Sequence, residues 1–354
     1  MPPDAKRKSF LLRDDAWVWE SAQGYDVIAI IPTTLTINPL LNVDHVLERL
    51  TFSPRHREAV ARLVRGYLRY FPLTAGKRTV WDRVIEPYLL WHPLDFVART
   101  RFGARLAGNA EDLVQQFIFF FGLWEPNVTH WLQRQLVAGD TFVDVGANIG
   151  YFALLGSRAV GESGRVIAIE ASPSIFSALR ANLDRNRAPN VRAVNMAAAR
   201  AAGKLPIYRA SEHNVGETTA VAGQGFALEA EVEADTLEAI VTSEVLRAAR
   251  LVKIDIEGGE LAVVESLRGF LADSPAKLEF IVELHPQLLA AQNHRAEDVL
   301  RIFADAGFHC YRLENDTWAH SHLPPFAEPV ARRFTGDVDE EMNLVFSRRN
   351  AEAI

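Results

Sequence analysis

The sequence predicts an α/β fold: a Rossmann-like parallel sheet with helices on both faces, preceded by a mainly helical N-terminal region. Three observations predict it. From Thr141 onward, short β-branched and aromatic runs alternate with helix-compatible segments, the rhythm of a parallel sheet. Asp144-Val145-Gly146-Ala147-Asn148-Ile149-Gly150 joins the strand-like Thr141-Phe142-Val143 to an apolar stretch ending near Val160, so a glycine turn brings bare backbone beside a ligand. Six of the seven tryptophans (Trp17, Trp19, Trp81, Trp91, Trp124, Trp131) precede that turn, a concentration expected of a packed helical subdomain.

Composition narrows the function. At 354 residues, one large or two modest domains are expected, and 49% hydrophobic with 23% charged residues is ordinary for a folded soluble chain. A net charge of −7 argues against a general nucleic-acid binder. The one cysteine, Cys310, lies in a strand-like run between His309 and Tyr311 and reads as packing; no Cys/His spacing suits zinc. Lys6-Arg7-Lys8 is not followed by the apolar core and cleavage site of a secretory signal, and no window is apolar enough to span a bilayer. The expectation is a cytoplasmic protein with no membrane partner.

In chain order, Tyr25 to Ile31 reads as a strand, broken after by Pro32 and Pro39. From Asp44 to about Phe121 the pattern is helical. Ser53-Pro54 supplies an N-cap and a proline at the first helical position, opening a helix to about Tyr70. Its Arg55, Arg57, Arg62, Arg65 and Arg69 read as a solvated face. Further helices are expected over Thr79–Leu90 and Glu111–Phe121, with Phe117-Ile118-Phe119-Phe120-Phe121 anchoring this region on the next. Beyond the glycine turn, Arg165 to Ile169 is the second strand and Ser172-Pro173 repeats the capping device, opening a helix to about Asn186. Val191 to Met196 is the third strand. Lys204–Arg209 and Phe226–Glu233 alternate like a hairpin. Leu251–Asp255 and Leu278–Glu283 are the fourth and fifth strands, with a helix over Glu260–Leu267 between them. Arg295–Ala306 is a helix ended by Gly307. Phe308–Leu313 and Asn343–Phe346 complete the sheet, joined by a surface connection over residues 314 to 340. The resulting division is 1–123, N-terminal region, and 124–354, cofactor-binding domain.

The turn itself selects the cofactor. Its spacing is Gly146-x-x-x-Gly150, without the middle glycine by which a dinucleotide site admits a pyrophosphate. Asp144 would repel a phosphate but can bond a cationic amino-acid group. Glu170 closes the second strand, where a carboxylate takes the two hydroxyls of a ribose. An acid, a glycine turn and a second acid describe a pocket for S-adenosylmethionine better than one for NAD.

Four blocks carry a family resemblance: Phe142-Val143-Asp144-Val145-Gly146-Ala147-Asn148-Ile149-Gly150-Tyr151, Gly164-Arg165-Val166-Ile167-Ala168-Ile169-Glu170, Val252-Lys253-Ile254-Asp255-Ile256-Glu257-Gly258-Gly259-Glu260 and Ile281-Val282-Glu283-Leu284-His285. Together, in this order, they resemble the FkbM family of S-adenosylmethionine-dependent methyltransferases over about residues 124 to 313. Gly122-Leu123-Trp124-Glu125-Pro126 is similar to that family's lead-in segment, whose helix covers the cofactor. The sequence departs from the family at Asp235-Thr236-Leu237-Glu238, where Thr-Leu-Asp is commoner. The resemblance implies a seven-stranded class I methyltransferase sheet and transfer to a hydroxyl oxygen of a sugar, polyketide or similar natural product. It also implies that Asp144, Gly146, Asn148 and Gly150 line the methionine end of the cofactor and Glu170 its ribose. Ala171 and Ser172 follow at the rim, and Asn195 or Met196 meets the adenine. Gly150 serving only helix–sheet packing, and Met196 serving only the core, remain open readings.

Methyl transfer from a sulfonium is an in-line displacement in which alignment supplies much of the rate. A hydroxyl acceptor must also lose a proton, so a general base is expected. Lys253, Asp255 and Glu257 share one face if the fourth strand continues. Such a cluster is costly in a buried strand unless paired or hydrated, which favours a site. Glu283 and His285 end the neighbouring strand. His285 has the reference pKa for a base; Asp255 or Glu257 could serve if burial raised theirs. A divalent metal held by Asp255, Glu257 and Glu283 is possible but not favoured, and a Lys253–Glu257 ion pair is the purely structural reading. His213 and Asn214, in the loop Ser211–Thr219, are candidate contacts, while His320 and His322 read as surface residues. The function expected is O-methylation of a small molecule. N- or C-methylation, a nicotinamide oxidoreductase and a non-catalytic binding protein stand as alternatives, and the aromatic N-terminal region could pack between subunits of a homo-oligomer.

Overall fold

The computed structural model describes residues 10–13, 16–19, 53–209, 218–220, 226–314, 319–324, 326 and 328–354. The chain forms two compact units, residues 1–50 and 51–354. In the first, β1 (Phe10–Arg13) and β2 (Ala16–Trp19) pair antiparallel, Phe10 opposite Trp19. The strand expected over Tyr25–Ile31 lies outside the described residues. Among the described residues no helix is long and apolar enough to cross a membrane.

The second unit opens with α1 (Pro54–Tyr70), capped by Ser53, whose hydroxyl accepts from the His56 N–H. Ala61, Val64 and Leu68 recur at helical spacing and are its buried residues. The arginine face is only partly solvated. Arg69 turns inward and donates to the carbonyls of Phe120 (3.1 Å), Arg99 (2.6 Å) and Ile118. Burial first, and the charge of Arg65 second, hold its pKa down to about 9. Arg65 lies over the Phe119 ring at 4.9 Å. A short helical stretch covers Lys77–Val80, Trp81–Ile85 and Glu86–Tyr88.

The chain then departs from the all-helical expectation for this region. β3 (Asp95–Arg99) and β4 (Arg105–Asn109) form a hairpin, and β3 alternates exposed and buried residues with a strand's period of two. α2 (Leu113–Phe121), capped by Asp112, buries every residue from Gln115 to Phe121. Trp81 packs on it, 5.3 Å from Phe117 and 5.1 Å from Phe121. His322 is not a surface residue. It is fully buried, its ring 4.6 Å from Phe117 and 5.3 Å from Phe121, so part of the 314–340 connection folds onto α2. The His320 side chain lies outside the described residues. One hydrophobic core runs from Ala61 through α2 and α3 (Pro126–Gln135) to Phe142, Leu154 and Val166 of the sheet domain.

The central sheet contains β5 (Thr141–Val145), β6 (Arg165–Ile169), β7 (Val191–Val194), β12 (Ala249–Ile254), β13 (Glu279–Leu284), β14 (His309–Leu313), β15 (Ala331–Arg333) and β16 (Met342–Ser347). Their order is β15-β14-β16-β13-β12-β5-β6-β7. The short β15 makes it one strand wider than the expected seven. Pairs from β13 to β7 are parallel; β16 runs antiparallel to both β13 and β14. After β5 the chain builds outward to β6 and β7, then returns to β12 on the other side. The ends of β5 and β12 therefore flank the topological switch point, where open α/β sheets bind ligands.

Helices α4 (Tyr151–Val160) and α5 (Pro173–Asn186) follow β5 and β6, and Ser172 caps α5 by accepting from the Ile175 N–H. Strands between residues 197 and 235 form a second sheet, β8 (Ala197–Ala198), β9 (Gly203–Arg209), β10 (Thr218–Thr219) and β11 (Ala227–Asp235), in the order β10-β9-β11-β8. The unusual Asp235-Thr236 still starts a helix, because the Thr236 hydroxyl accepts from the Ala239 N–H. α6 (Glu260–Ser266) and α7 (Ala296–Asp305) cover the β12–β13 side. Cys310 is half-buried in the β14 wall, and burial pushes its thiol up to about 12, which makes it a packing residue and not a nucleophile.

Candidate active site

A cavity of about 620 Å³ opens over the ends of β5, β6, β12 and β13. One wall is the glycine turn and Glu170. Leu205, Ile207 and Thr219 of the second sheet also line it, with Ala220 beside them, and so do Leu113, Val114 and Trp124.

The turn is closed on itself. Gly146 N–H and Ala147 N–H both donate to the Ile169 carbonyl at 2.9 Å, and Asn148 N–H donates to Glu170 Oε2 at 2.9 Å. Ile149 N–H goes to Asn148 Oδ1 (2.6 Å) and Gly150 N–H to the Ala147 carbonyl (2.9 Å). Each backbone donor from 146 to 150 thus has an acceptor inside the protein. A pyrophosphate would find no spare N–H here, and the nicotinamide reading loses its physical basis. Gly146 has φ +84°, and a Cβ there would stand 1.7 Å from the Asp255 carbonyl oxygen. The requirement for glycine is thus a close approach between β5 and β12. Gly150, φ +94°, would press a Cβ to 2.7 Å from Leu179, so helix–sheet packing is its visible role; it does not line the cavity.

Asp144 is fully buried beneath the turn and does not line the cavity. Neither carboxylate oxygen has a hydrogen-bond partner of normal geometry. Burial pushes its pKa up to about 7, with the Lys253 charge and the Ala153 N–H opposing in part. Glu170 does line the cavity. Its oxygens accept from the N–H groups of Asn148 and Ser172, each at 2.9 Å, so its orientation is set by backbone. Burial raises it to about 7 against those two bonds. Ala171 and Met196 lie in the wall. Ser172 is buried behind Glu170, and its hydroxyl donates to Glu229 of β11 at 2.8 Å. Asn195 is exposed and stands outside the wall, its amide donating to the carbonyls of Glu170 (2.8 Å) and Ala171 (2.9 Å). Both support the Glu170 turn without facing the cavity. His213 and Asn214 lie outside the described residues.

At the other end, Lys253 and Asp255 are brought together as the strand period predicts, Nζ to Oδ2 at 2.5 Å. Lys253 is 1% exposed, with its ammonium 4.8 Å from the Phe152 ring centre. Burial opposes its charge, but Asp255, Glu125, Glu283 and Asp144 outweigh burial and raise its pKa. Asp255 is held low in turn: burial pushes it up, and the Lys253 charge and the bond from Glu283 win. The strand does not continue to Glu257, whose φ is +53°, so the expected common face ends at Asp255. The Thr219 hydroxyl holds the turned Glu257 by its carbonyl at 2.6 Å.

His285, at the end of β13, has Nε2 2.9 Å from Glu341 Oε2 and 3.7 Å from Glu257 Oε2. The bond to Glu341 first, and Glu257 against the opposing burial, raise its pKa to about 9. Its resting state at neutral pH is therefore the imidazolium, not the neutral base its reference pKa suggests. Asn343 Nδ2 bridges Glu125 Oε1 and Glu283 Oε1, both at 3.1 Å. Burial, then Asp255 and Glu125, push Glu283 well up. Among the described residues no group of three or more His, Cys, Asp or Glu could hold a metal ion, so Asp255, Glu257 and Glu283 do not form the carboxylate cluster that a hard cation would need.

Glu125, Thr219, Gln292, Glu341 and Asn343 enter the site or its support without having been nominated from sequence. Glu125 lies in the recognised lead-in segment, and its neighbour Pro126 marks a helix start, so a signal for it existed. Glu341 and Asn343 carried none, because only the antiparallel return of β16 beside β13 brings them here.

The cavity fits S-adenosylmethionine. Carboxylates of Glu125, Asp255, Glu257, Glu283 and Glu341 line it with His285 and Arg200. A lining so rich in carboxyl groups suits a sulfonium and an ammonium, and the backbone-held Glu170 suits a ribose diol.

Residues 144–310 match the family model described as the methyltransferase FkbM domain. Solved structures with a similar course include a precorrin-6y C5,15-methyltransferase from Geobacter metallireducens (12% identity, 62% of this chain and 86% of that one, TM-score 0.34). Others are an S-adenosylmethionine-dependent O-methyltransferase from Thermotoga maritima (14%, 73% and 79%, TM-score 0.34) and Aeropyrum pernix fibrillarin with S-adenosylmethionine bound (12%, 71% and 81%, TM-score 0.33). No curated protein matches the sequence.

Proposed function

We propose that the S-adenosylmethionine-dependent methyltransferase built around residues 144–310 methylates a hydroxyl oxygen of a small natural-product acceptor, of the sugar or polyketide kind. The observation that carries this reading is the imidazole–carboxylate pair at the cavity edge, His285 Nε2 on Glu341 Oε2 at 2.9 Å. Hydroxyl acceptors need a base, and a histidine oriented by a carboxylate is the usual way to supply one.

The bound cofactor supplies a methyl group already activated by sulfonium charge. This chain's residues do the rest. Glu170 takes the ribose hydroxyls on a carboxylate that Asn148 and Ser172 hold still. Leu113, Val114 and Trp124 give the acceptor an apolar and aromatic wall, and the first two support acceptor selection by the region before residue 124. With Nε2–H donating to Glu341, Nδ1 is the ring atom left to take the acceptor proton once His285 is neutral. Asp255 is the competing base, and its pairing with Lys253 makes it the weaker one.

Labelled S-adenosylmethionine, offered with a panel of hydroxylated and aminated acceptors, tests the reading by mass spectrometry of the products. Methyl ether formation is expected. Methylation of amines or carbon alone would replace the O-transfer reading, and cofactor binding without any transfer would favour a binding protein.

A further inference from the structure

A carboxylate of the second sheet reaches the start of α5. Glu229 of β11 accepts from the Ser172 hydroxyl at 2.8 Å and 3.0 Å, and from the Ser174 N–H at 3.2 Å. Its reach depends on an irregularity of the strand. Along β11, Glu231 and Glu233 are exposed, 3.6 Å and 3.8 Å from Lys204 of β9, while Val232 and Ala234 are buried. Glu229, two residues before Glu231, would continue that exposed face. The pairing with β9 shifts register between Leu228 and Ala230, so Glu229 is the extra residue of a β-bulge. Bulges re-aim a side chain and are frequent beside active sites. This one delivers a carboxylate to the N-terminus of a 14-residue helix, where the dipole favours negative charge. Burial opposes that charge, but the bonds from Ser174 and Ser172 outweigh it and hold the Glu229 pKa low.

What Glu229 grips is the residue that aims Glu170. The Ser172 N–H donates to Glu170 Oε1 at 2.9 Å, and the Ser172 hydroxyl accepts from the Ile175 N–H at 3.2 Å. A hydroxyl has one proton to give; Glu229 takes it, which leaves the oxygen turned to Ile175. Ser172 is thereby held by its backbone and its side chain at once. We propose that Glu229 is a positioning residue for the cofactor: by fixing Ser172 it sets the Glu170 carboxylate for the ribose hydroxyls. The assignment rests on Glu170 receiving the ribose. It gives the second sheet a part in cofactor binding beyond the apolar wall that Leu205 and Ile207 supply. Simple docking of that sheet would act through the wall, whatever residue stood at position 170. Positioning acts only while the Glu170 carboxylate is there to be positioned.

Titration calorimetry of S-adenosylhomocysteine against the full chain, run as a double-mutant cycle, separates the two. Glu229→Ala should weaken binding about threefold to tenfold, the range of one lost hydrogen bond. Added to Glu170→Gln, it should cost less than about twofold more, because the charged acceptor it orients is gone. Equal losses in the two backgrounds, or no loss in either, overturn the proposal and leave the ribose reading standing. Should Glu229→Ala fail to fold, Glu229→Asp replaces it in the cycle. That variant keeps the charge but draws it back from Ser172, and the same pattern is expected. Glu170→Gln binding as tightly as the unaltered protein would overturn the ribose reading and the proposal with it. An unaltered protein that does not bind S-adenosylhomocysteine would overturn both together with the cofactor reading.

Discussion

The two ends of the cavity are built by opposite means. At the cofactor end, residues 144–150 and 170–172 are near in sequence, and backbone N–H groups hold them. At the end proposed for the acceptor, Lys253, Asp255, Glu283, His285, Glu341 and Asn343 come from distant segments, and side-chain charge and amide bonds hold them. A backbone-closed turn has one geometry and no titration in its bonds. A charge network shifts whenever a proton moves. The first suits a cofactor that is always the same, the second a reaction in which a proton must leave.

The largest break in this contrast is expected at Gly146, where the backbones of the two ends come closest. Gly146→Ala drives a methyl group into the Asp255 carbonyl and should cost about 3 kcal/mol or more, combining positive-φ strain with overpacking. Thermal melts should show it, and S-adenosylhomocysteine binding should be lost with it; a normal melting temperature would mean β5 and β12 can part freely.

Next in size is the acceptor end alone. His285→Ala or Asp255→Asn should lower turnover by about 10²- to 10⁴-fold, the worth of a positioned base, and spare most cofactor affinity. Near-normal turnover in both variants would remove the base assignment. Glu170→Gln should do the reverse, weakening S-adenosylhomocysteine about tenfold to a hundredfold through a lost charged acceptor, with the surviving turnover at saturating cofactor little changed. If turnover fell as steeply as affinity, the two ends would not be separable.

The smallest effect concerns pH. His285 sits at about 9 because Glu341 stabilises its charged form, so turnover should rise with pH up to that range. Glu341→Gln should move the rise to lower pH, toward the ordinary histidine value, and a profile flat from pH 6 to 10 would point to Asp255. Stability obeys the same linkage. A raised histidine favours the folded state fully below its ordinary value near 6.5 and loses that contribution as pH climbs through about 9. The stability gap between the native protein and Glu341→Gln should therefore close in melts above that range.

Much of the site and the sheet was present in the sequence. The turn, Glu170, the capped starts at Ser53 and Ser172, and the order of strands from Thr141 to Phe346 are local patterns of cap, glycine and period, and local physics reproduces them. The turn's spacing and Asp144 pointed away from NAD, and Glu170 with the Lys253–Glu260 block pointed toward S-adenosylmethionine. The β3–β4 hairpin escaped, since the hydrophobic pattern around it reads as helix until the partner strand is known. So did the burial of Arg69 and His322, polar residues that meet carbonyls and aromatic rings far along the chain. Only the tertiary structure decided that Asp144 lies under the turn and not in the cavity, that Glu257 turns away from the strand face, and that Glu125, Glu341 and Asn343 join the site. Their positions depend on which strands lie side by side, and a carboxylate's charge, proton and partner are properties of that neighbourhood, which no stretch of sequence contains.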